Sequence, residues 1–323
     1  MRYTVRHVTR FSYDTPITES IMEARMQPRS DGTQRCLRFG LSTSPVSRAM
    51  MYQDHDGNIV HHFNIPARHA RLTVTAEALV ECEPLPALPE DSGPDGWDRL
   101  DAMTASGEYW DYLAPSQFAR PTAALEAFAR ELEVERGDDP LVLLRRLVNR
   151  MYDALAYSPR STRVDSPIDD ALEARRGVCQ DFSHVFIALV RPLGIPCRYV
   201  SGYLFHQADS VDRSSDGATH AWVEALVPGL GWVGLDPTNN VVAGARHVRV
   251  AVGRDYADVP PTRGVYKGVS KVSSELAVSV QVGPVLAAEF GGDPLPLLPW
   301  KSQDAVAASP SVEDSQQQQQ QQQ

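Results

Sequence analysis

The sequence lacks several features that would assign it directly to a class of protein. Its four cysteines, Cys36, Cys82, Cys179 and Cys197, form no C-x-x-C pair, and a chain of 323 residues does not need the disulfides that staple small secreted domains. No apolar run approaches the roughly 18 residues that span a bilayer. Residues 1–11 carry charges and no apolar stretch, unlike a secretory signal. We therefore predict a cytoplasmic protein with reduced thiols and no membrane partner.

The chain also has fewer basic residues than acidic residues. The chain has 31 Lys and Arg residues against 41 Asp and Glu residues, and its formal net charge is -10. Its basic residues are scattered and form no cluster larger than the pair at 175–176. A surface of this sign repels phosphate backbones, so we predict no nucleic-acid partner.

Alternation of polar and apolar residues predicts that residues 1–90 form an all-β N-terminal domain. Residues 72–80 (LTVTAEALV) show the period of two that is typical of a strand with one buried face. Residues 54–58 (DHDGN) lie between apolar runs and predict a hairpin turn. A calcium loop would place its glycine later and would close with a glutamate. Pro, Glu, Asp and Gly are frequent after this domain, so residues 91–118 are predicted to be a linker and packing segment.

Helical patterns begin beyond the linker. Thr122 can cap one helix and Pro140 can open another. Gly177 breaks the chain before a third helix, in which apolar residues recur at steps of three and four. Pro192 and Gly194 end that helix.

Strand patterns return after the third helix. They cover residues 198–204, 220–227, 232–236, 246–252 and 276–282. Helices followed by antiparallel strands, without a repeated βαβ rhythm, predict an α+β domain over residues 119–285. Residues 286–323 are rich in Pro, Ala and Ser and include eight consecutive glutamines, so they are predicted to be a disordered tail.

Cys179 is the leading candidate for a catalytic residue. It lies in the first turn of the third predicted helix, where partial positive charge and unpaired N–H groups favour a thiolate and can bind an oxyanion. Most lone cysteines are only small buried hydrophobes. Gly177, two residues earlier, would let a backbone or a substrate approach closely, which favours the catalytic interpretation.

His220 and Asp236 can complete a triad with this cysteine. A histidine can take the thiol proton and pass it to a leaving amine, and a carboxylate can orient the imidazole. Each residue also has a structural interpretation. His220 could be a hydrogen-bonded core histidine, and Asp236 could form a turn before Pro237.

The loop between the two strands tests this triad. If Pro228 pairs with Gly231, Asp236 lies on the opposite face of the sheet from His220. If Val227 pairs with Gly231, both side chains lie on one face. A working triad therefore predicts a three-residue loop, or else a bulge near the glycines of this hairpin.

Four motifs, in order, resemble the bacterial transglutaminase-like family. They are residues 173–184 (EARRGVCQDFSH), 194–203 (GIPCRYVSGY), 220–224 (HAWVE) and 231–238 (GWVGLDPT). The resemblance covers residues 150–270, and the preceding region is similar to the β-rich domain that often comes before this core. It implies a papain-like, transglutaminase-like core of helices and antiparallel sheet. It further implies a Cys179, His220 and Asp236 triad that acts through a thioester acyl-enzyme on an amide. We predict a peptide or protein substrate, no cofactor and no metal.

Three further residues are weaker candidates for the oxyanion site or the cleft. Gln180 could lend a backbone N–H to the oxyanion, Trp222 could wall the cleft, and Tyr157 could shape the site. Simple packing explains Trp222 equally well, and it is the favoured interpretation of Tyr157. Cys197 follows Pro196 at a strand start and is predicted to be buried and dispensable for activity.

Several alternatives stay open at the level of sequence. The family includes crosslinking transferases, peptidases and amidases, and some members have lost activity; we favour hydrolysis, because water is always present. The chain could also be a non-catalytic binding protein on the same fold. A metal site is disfavoured because no H-E-x-x-H or paired C-x-x-C motif occurs. A redox pair of Cys179 and Cys197 lacks any redox motif. The sequence does not predict an oligomeric state.

Overall fold

The structure is a computed structural model that describes residues 1–137, 139–207, 210–268 and 272–285. The predicted disordered tail therefore lies outside the described residues. Strands occupy the first part of the chain, as its alternating pattern predicts. They are β1 (Arg2–Ile17), β2 (Glu19–Ala24), β3 (Gln34–Ser44), β4 (Met50–Gln53), β5 (Ile59–Ile65) and β6 (His69–Cys82).

Helices and further strands follow. The helices are α1 (Gly96–Thr104), α2 (Ala123–Glu131), α3 (Pro140–Ala154), α4 (Ile168–Ala174) and α5 (Cys179–Val190), with short 3-10 turns at Trp110–Tyr112, Arg191–Leu193 and Tyr256–Asp258. The later strands are β7 (Ala156–Tyr157), β8 (Arg176–Gly177), β9 (Cys197–Leu204), β10 (His220–Val227), β11 (Gly231–Asp236), β12 (Val241–Val242), β13 (His247–Gly253), β14 (Thr262–Lys267) and β15 (Ser274–Pro284). The α+β class is confirmed.

Two antiparallel four-stranded sheets form the N-terminal region, in the orders β15-β1-β6-β3 and β14-β2-β5-β4. Alternate residues of the strands point into one shared hydrophobic core, for example Val5, Phe63 and Val74. Residues 54–58 form the predicted turn. There the Asp54 carboxylate accepts hydrogen bonds from the backbone of Asp56 and Asn58, and Gly57 has a φ of 77°.

The last two strands return to the N-terminal sheets. β15 pairs along β1 and β14 pairs along β2. The predicted segment 119–285 assigns both strands to the α+β domain, whereas each pairs with a strand of the N-terminal sheets. Strand pairing joins residues that are distant in sequence, and an alternating pattern contains no information about the partner strand.

The second region packs its helices against a five-stranded sheet of order β12-β11-β10-β9-β13. α5 is its central helix, and all twelve of its residues are buried. Val185 and Phe186 of α5 share a core with Ala221 and Val223 of β10. The caps predicted from sequence are present, since Thr122 Oγ1 accepts the Leu125 N–H at 3.1 Å and Pro140 is the first residue of α3.

Two helices had no clear sequence signal. α1 lies in the segment predicted as a linker and packing segment; its N-cap residue, Asp95, makes no side-chain cap hydrogen bond within the described ranges, and Leu100 is its only large buried side chain. α4 spans seven residues, from Ile168 to Ala174. Helices with so few buried apolar residues do not show a clear 3.6-residue period.

Side-chain amides from the N-terminal region cover the outer edge of the five-stranded sheet at β13. Gln34 exchanges two hydrogen bonds with the backbone of Arg249, at 2.7 and 2.8 Å. Asn58 does the same with Val252, at 2.8 Å each. We call Gln34 and Asn58 the edge amides. Each one satisfies backbone groups of an edge strand that, among the described residues, has no strand partner on that side.

Replacing Asn58 with alanine is expected to destabilise the protein by about 2–4 kcal/mol, because two buried backbone groups of Val252 lose their partners. The change in unfolding free energy can be measured by urea denaturation. Asn64→Ala is the matched control, since Asn64 is exposed and its side chain makes a 3.4 Å contact to Glu19. A loss no larger than that of the control would contradict a stabilising role for this edge amide.

Candidate active site

Cys179 is the first residue of α5 and is held there by a buried acid. The Asp181 carboxylate accepts the Val178 N–H at 2.8 Å and the Thr162 hydroxyl at 2.5 Å, which fixes the turn that leads into the helix. A side chain at Gly177 would lie 2.8 Å from the Cβ of Asp181. The close neighbour that requires this glycine is therefore Asp181.

His220 begins β10 and Asp236 ends β11. Val227 pairs with Gly231 and Val223 pairs with Leu235, so the loop has three residues and Asp236 falls opposite Trp222. Side chains two residues apart on a strand share a face. His220 and Asp236 therefore lie on one face of the sheet, and the predicted three-residue loop is confirmed.

The two side chains are in direct contact in the interior. His220 Nε2 lies 2.7 Å from Asp236 Oδ2, and Asp236 has no exposed surface. The other carboxylate oxygen, Oδ1, accepts the backbone N–H groups of Thr238 and Asn239 at 3.0 and 3.2 Å. Asp236 is thus a fully hydrogen-bonded acceptor that orients the imidazole.

The remaining ring nitrogen of His220, Nδ1, is not engaged by Asp236. Nδ1 is buried and makes no hydrogen bond of normal geometry within the described ranges. The Cys179 thiol is close enough to contribute to the electrostatics of the ring. With Nε2 committed to Asp236, Nδ1 is the ring atom available to exchange a proton with Cys179 Sγ.

The electrostatics favour a charged imidazole. Burial alone would lower the pKa of His220, but the Asp236 carboxylate and the Cys179 sulfur raise this pKa to about 10. Burial alone would raise the pKa of Asp236, but His220 and His247 hold it well below its usual range. At neutral pH the pair is therefore an imidazolium beside a carboxylate.

The raised pKa of His220 predicts how stability depends on pH. A histidine that holds its proton more tightly in the folded state stabilises it fully below its unfolded pKa of about 6.5. That contribution is lost as the pH rises through the folded pKa of about 10. We expect the difference in unfolding free energy between wild type and His220→Gln to shrink from pH 6 to pH 10.

His184 provides the control for this measurement. Burial lowers the pKa of His184 to about 4, so both of its states are neutral at alkaline pH. The difference between wild type and His184→Gln should then stay constant from pH 8 to pH 10. A His220→Gln difference that is equally constant over the same range would contradict the raised pKa of His220.

The weaker candidates have defined positions around this pair. The Gln180 side chain donates to the Val164 carbonyl at 2.8 Å, so it anchors the loop before α4. The Tyr157 hydroxyl lies 3.2 Å from Ser215 Oγ and accepts the Ser215 N–H, which joins β7 to the segment before His220. Trp222 is buried and packs against His220, with ring centroids 5.9 Å apart.

Two neighbours of Asp236 were not predicted from the sequence. Asn239 donates to Asp236 Oδ2 at 2.7 Å and to Ser214 Oγ at 3.0 Å. His247 Nε2 lies 3.2 Å from the same Oδ2. Asn239 follows Asp236 by three residues, a spacing from which a turn could have been suspected. No local signal places His247, because the pairing of β13 with β9 brings it there.

His184 and Cys197 are buried residues of types that catalysis often uses, but their contacts lie elsewhere in the core. His184 stacks on Phe118 and accepts the Tyr256 N–H at 3.2 Å. Cys197 has no exposed surface, as predicted. All four cysteines are free thiols. The structure therefore assigns both residues to packing around α5 and β9.

His220, Asp236 and His247 come close enough together to be considered as metal ligands. Their hydrogen bonds indicate another arrangement. The Gly244 N–H donates to His247 Nδ1 at 3.2 Å, so the proton of the neutral ring is on Nε2 and points at Asp236. A nitrogen that carries a proton offers no lone pair to a metal ion. The three side chains therefore fit a hydrogen-bonded cluster better than a metal site.

A cysteine at the start of a central helix, facing a histidine and an aspartate on an antiparallel sheet, defines the transglutaminase-like class of fold. Comparison with known proteins agrees with this class. Residues 126–237 match the transglutaminase-like superfamily, and residues 3–81 match the bacterial transglutaminase-like N-terminal region.

Several relatives cover much of the chain. An uncharacterized protein of Mycobacterium bovis is 35% identical over 309 residues, which is 91% of this chain and 95% of that protein. A protein-glutamine gamma-glutamyltransferase of Pseudomonas aeruginosa is 31% identical over 147 residues, 41% of this chain and 20% of that one. The crystal structure of a candidate cysteine protease from Cytophaga hutchinsonii superposes with a TM-score of 0.67 at 20% identity, covering 92% and 93% of the two chains. This chain belongs to the bacterial transglutaminase-like family.

Among the described residues, no helix combines the length and the apolar character that crossing a bilayer requires.

Proposed function

We propose that the protein is a cysteine-dependent enzyme that hydrolyses amide bonds of peptides or proteins. The observation that carries this proposal is the buried 2.7 Å contact between His220 Nε2 and Asp236 Oδ2, with the Cys179 thiol close enough to the same imidazole to contribute to its electrostatics. Membership of the transglutaminase-like family supports the same class of chemistry. In this proposal Cys179 is the nucleophile, His220 the acid and base, and Asp236 the residue that orients it.

The first half of the reaction forms an acyl-enzyme. The Cys179 thiolate attacks the carbonyl carbon of the amide, and the negative charge moves to the carbonyl oxygen. The backbone N–H groups of Cys179 and Gln180, at the start of α5, are the donors proposed to hold this oxyanion. The His220 imidazolium gives its proton to the leaving nitrogen, the C–N bond breaks, and a thioester remains on Sγ.

The second half restores the enzyme. The neutral His220 takes a proton from a water molecule while the oxygen of that water adds to the thioester carbon. The C–S bond then breaks, which releases the carboxylic acid and leaves a thiolate beside an imidazolium. Asp236 stays ionised throughout, because its oxygens are held by buried N–H donors.

Acyl transfer to an amine is the second candidate. It differs only in the group that attacks the thioester, and it is supported by the relative from Pseudomonas aeruginosa, which is named as a glutamyltransferase. A non-catalytic binding role is the third interpretation. For each of these functions we also propose a cytoplasmic location, without nucleic-acid or membrane partners.

The test separates these functions with one substrate. N,N-dimethylcasein is incubated with the enzyme and a fluorescent primary amine, and we measure ammonia, new amino termini and bound fluorescence. Ammonia or new termini without bound amine indicate hydrolysis, and bound fluorescence indicates acyl transfer. If wild type gives no more of any product than Cys179→Ala, the catalytic proposal is wrong for this protein substrate.

Alkylation of Cys179 tests the activated pair without any substrate. The rate of reaction with iodoacetamide is followed against pH by mass spectrometry in wild type and in His220→Ala. Fast labelling well below the usual thiol pKa of about 8.5, slowed in the variant, supports an activated cysteine. An ordinary thiol profile in both proteins favours the binding role.

A further inference from the structure

His247 makes a defined contact with the carboxylate that orients His220. It is the first residue of β13 and is buried, with an exposed fraction of 6%. Its Nδ1 accepts the Gly244 N–H at 3.2 Å, so the neutral ring carries its proton on Nε2. That proton points at Asp236 Oδ2, 3.2 Å away. The backbone of Gly244 thus selects the tautomer that can donate to Asp236.

Asp236 Oδ2 is shared between three donors. His220 Nε2 and Asn239 Nδ2 each lie 2.7 Å away, and His247 approaches at 3.2 Å. The Trp222 ring contacts both imidazoles, with centroids 5.9 Å from His220 and 5.1 Å from His247. Rotation of the carboxylate would break several of these contacts at once, so its orientation toward His220 is fixed from more than one side.

The charge state of His247 suits this role. Burial lowers the pKa of His247, and the hydrogen bond to Asp236 opposes this only in part. The ring is therefore neutral at pH 7. A neutral donor holds the carboxylate without supplying a second positive charge that would compete with the His220 imidazolium. His247 can therefore fix the geometry while His220 alone changes its charge during the reaction.

We propose that His247 is a positioning residue of the active site, which holds Asp236 in the orientation that serves His220. The proposal rests on the proposed function. The contact is made by the Nε2–H group, so the position of a donor at residue 247 is what matters, rather than the size or aromaticity of the side chain.

Two amide substitutions test this requirement. A glutamine at position 247 can place its amide nitrogen near the position of Nε2, whereas an asparagine can reach only the position of Nδ1, next to Gly244. We expect His247→Gln to keep kcat within about threefold of wild type. We expect His247→Asn to lose about tenfold to a hundredfold in kcat, the effect of a misplaced catalytic group, with little change in KM. For both variants, kcat and KM are measured with N,N-dimethylcasein, and the rate of Cys179 alkylation is measured separately.

His69→Asn is the matched control for folding. His69 is also buried and bonds to the Ala67 carbonyl and to Ser20, but it lies in the N-terminal sheets. This variant should lose stability without losing kcat per folded molecule. Equal kcat in His247→Asn and His247→Gln, or equal losses in both while folded, would overturn the proposal.

Nitrogen NMR of the histidine rings separates failure of this inference from failure of the proposed function. The wild-type spectrum should show His247 as the neutral Nε2–H tautomer, whether or not the protein turns over a substrate. An Nδ1–H tautomer would overturn the positioning role alone. A wild type with the Nε2–H tautomer and slow Cys179 alkylation would overturn the proposed function, and with it any catalytic role for His247.

Discussion

Cys179→Ala is expected to abolish amide hydrolysis, with a loss on the order of 10⁵-fold or more in kcat. The nucleophile has no substitute in the site, since His220 Nδ1 is a base and not an acyl acceptor of comparable reactivity. The fold should survive, because Cys179 packs in the core as a small side chain and alanine fits the first turn of a helix. The rate is measured as ammonia or new amino termini released from N,N-dimethylcasein.

Cys197→Ala is the matched control for this loss. Cys197 is also a buried thiol, and the Arg191 guanidinium donates two hydrogen bonds to its backbone carbonyl. Its replacement should lower stability by about 1 kcal/mol and leave kcat unchanged. If Cys179→Ala kept more than about one hundredth of the wild-type rate, far above the residual rate of a triad without its nucleophile, a different residue would be the nucleophile.

Asp236→Asn has the second largest expected effect, a loss on the order of 10⁴-fold in kcat, as for the acid of other triads. An asparagine replaces one acceptor oxygen with an N–H group in a site that presents donors from His220, His247 and Asn239. The imidazole then loses its charge partner and its fixed orientation. In the alkylation assay, the labelling of Cys179 below pH 8 should slow as it does in His220→Ala.

A second buried acid separates this effect from a general loss of structure. Asp255 is also buried and accepts the backbone N–H groups of Phe118 and Ala257, away from the His220–Asp236 pair. Asp255→Asn should lower the unfolding free energy while Cys179 alkylation keeps its wild-type profile. Normal alkylation in a folded Asp236→Asn variant would contradict the role of Asp236.

The site could be predicted from sequence where its chemistry depends on local structure. A cysteine after Gly177, at the start of an apolar helical pattern, could be placed in the first turn of α5. In the hairpin of β10 and β11, the loop length decides whether His220 and Asp236 lie on the same face of the sheet. The observed pair of Val227 and Gly231 gives a three-residue loop, which places them on one face. These predictions depend on periodicities and short loops, which local sequence determines.

Other parts of the site depend on pairings between distant strands. His247 reaches Asp236 only because β13 lies beside β9 at the edge of the sheet. The return of β14 and β15 to the N-terminal sheets has the same cause. An alternating pattern identifies a strand and its two faces, but many strands could pair with it. The sequence alone therefore predicted the three residues of the proposed triad but did not identify His247 beside Asp236.

The edge amides also protect the five-stranded sheet from self-association through β13. Until Gln34 and Asn58 reach β13, the backbone groups of Arg249 and Val252 are free to accept a strand from another molecule. Val248 and Val250 of the same strand are buried in the core of the N-terminal region and would be exposed as well. During synthesis Gln34 and Asn58 emerge before β13, but the two sheets that hold them are completed only by β14 and β15, which follow it. A truncated chain that began at the helices would lack this protection and would present a template for aggregation.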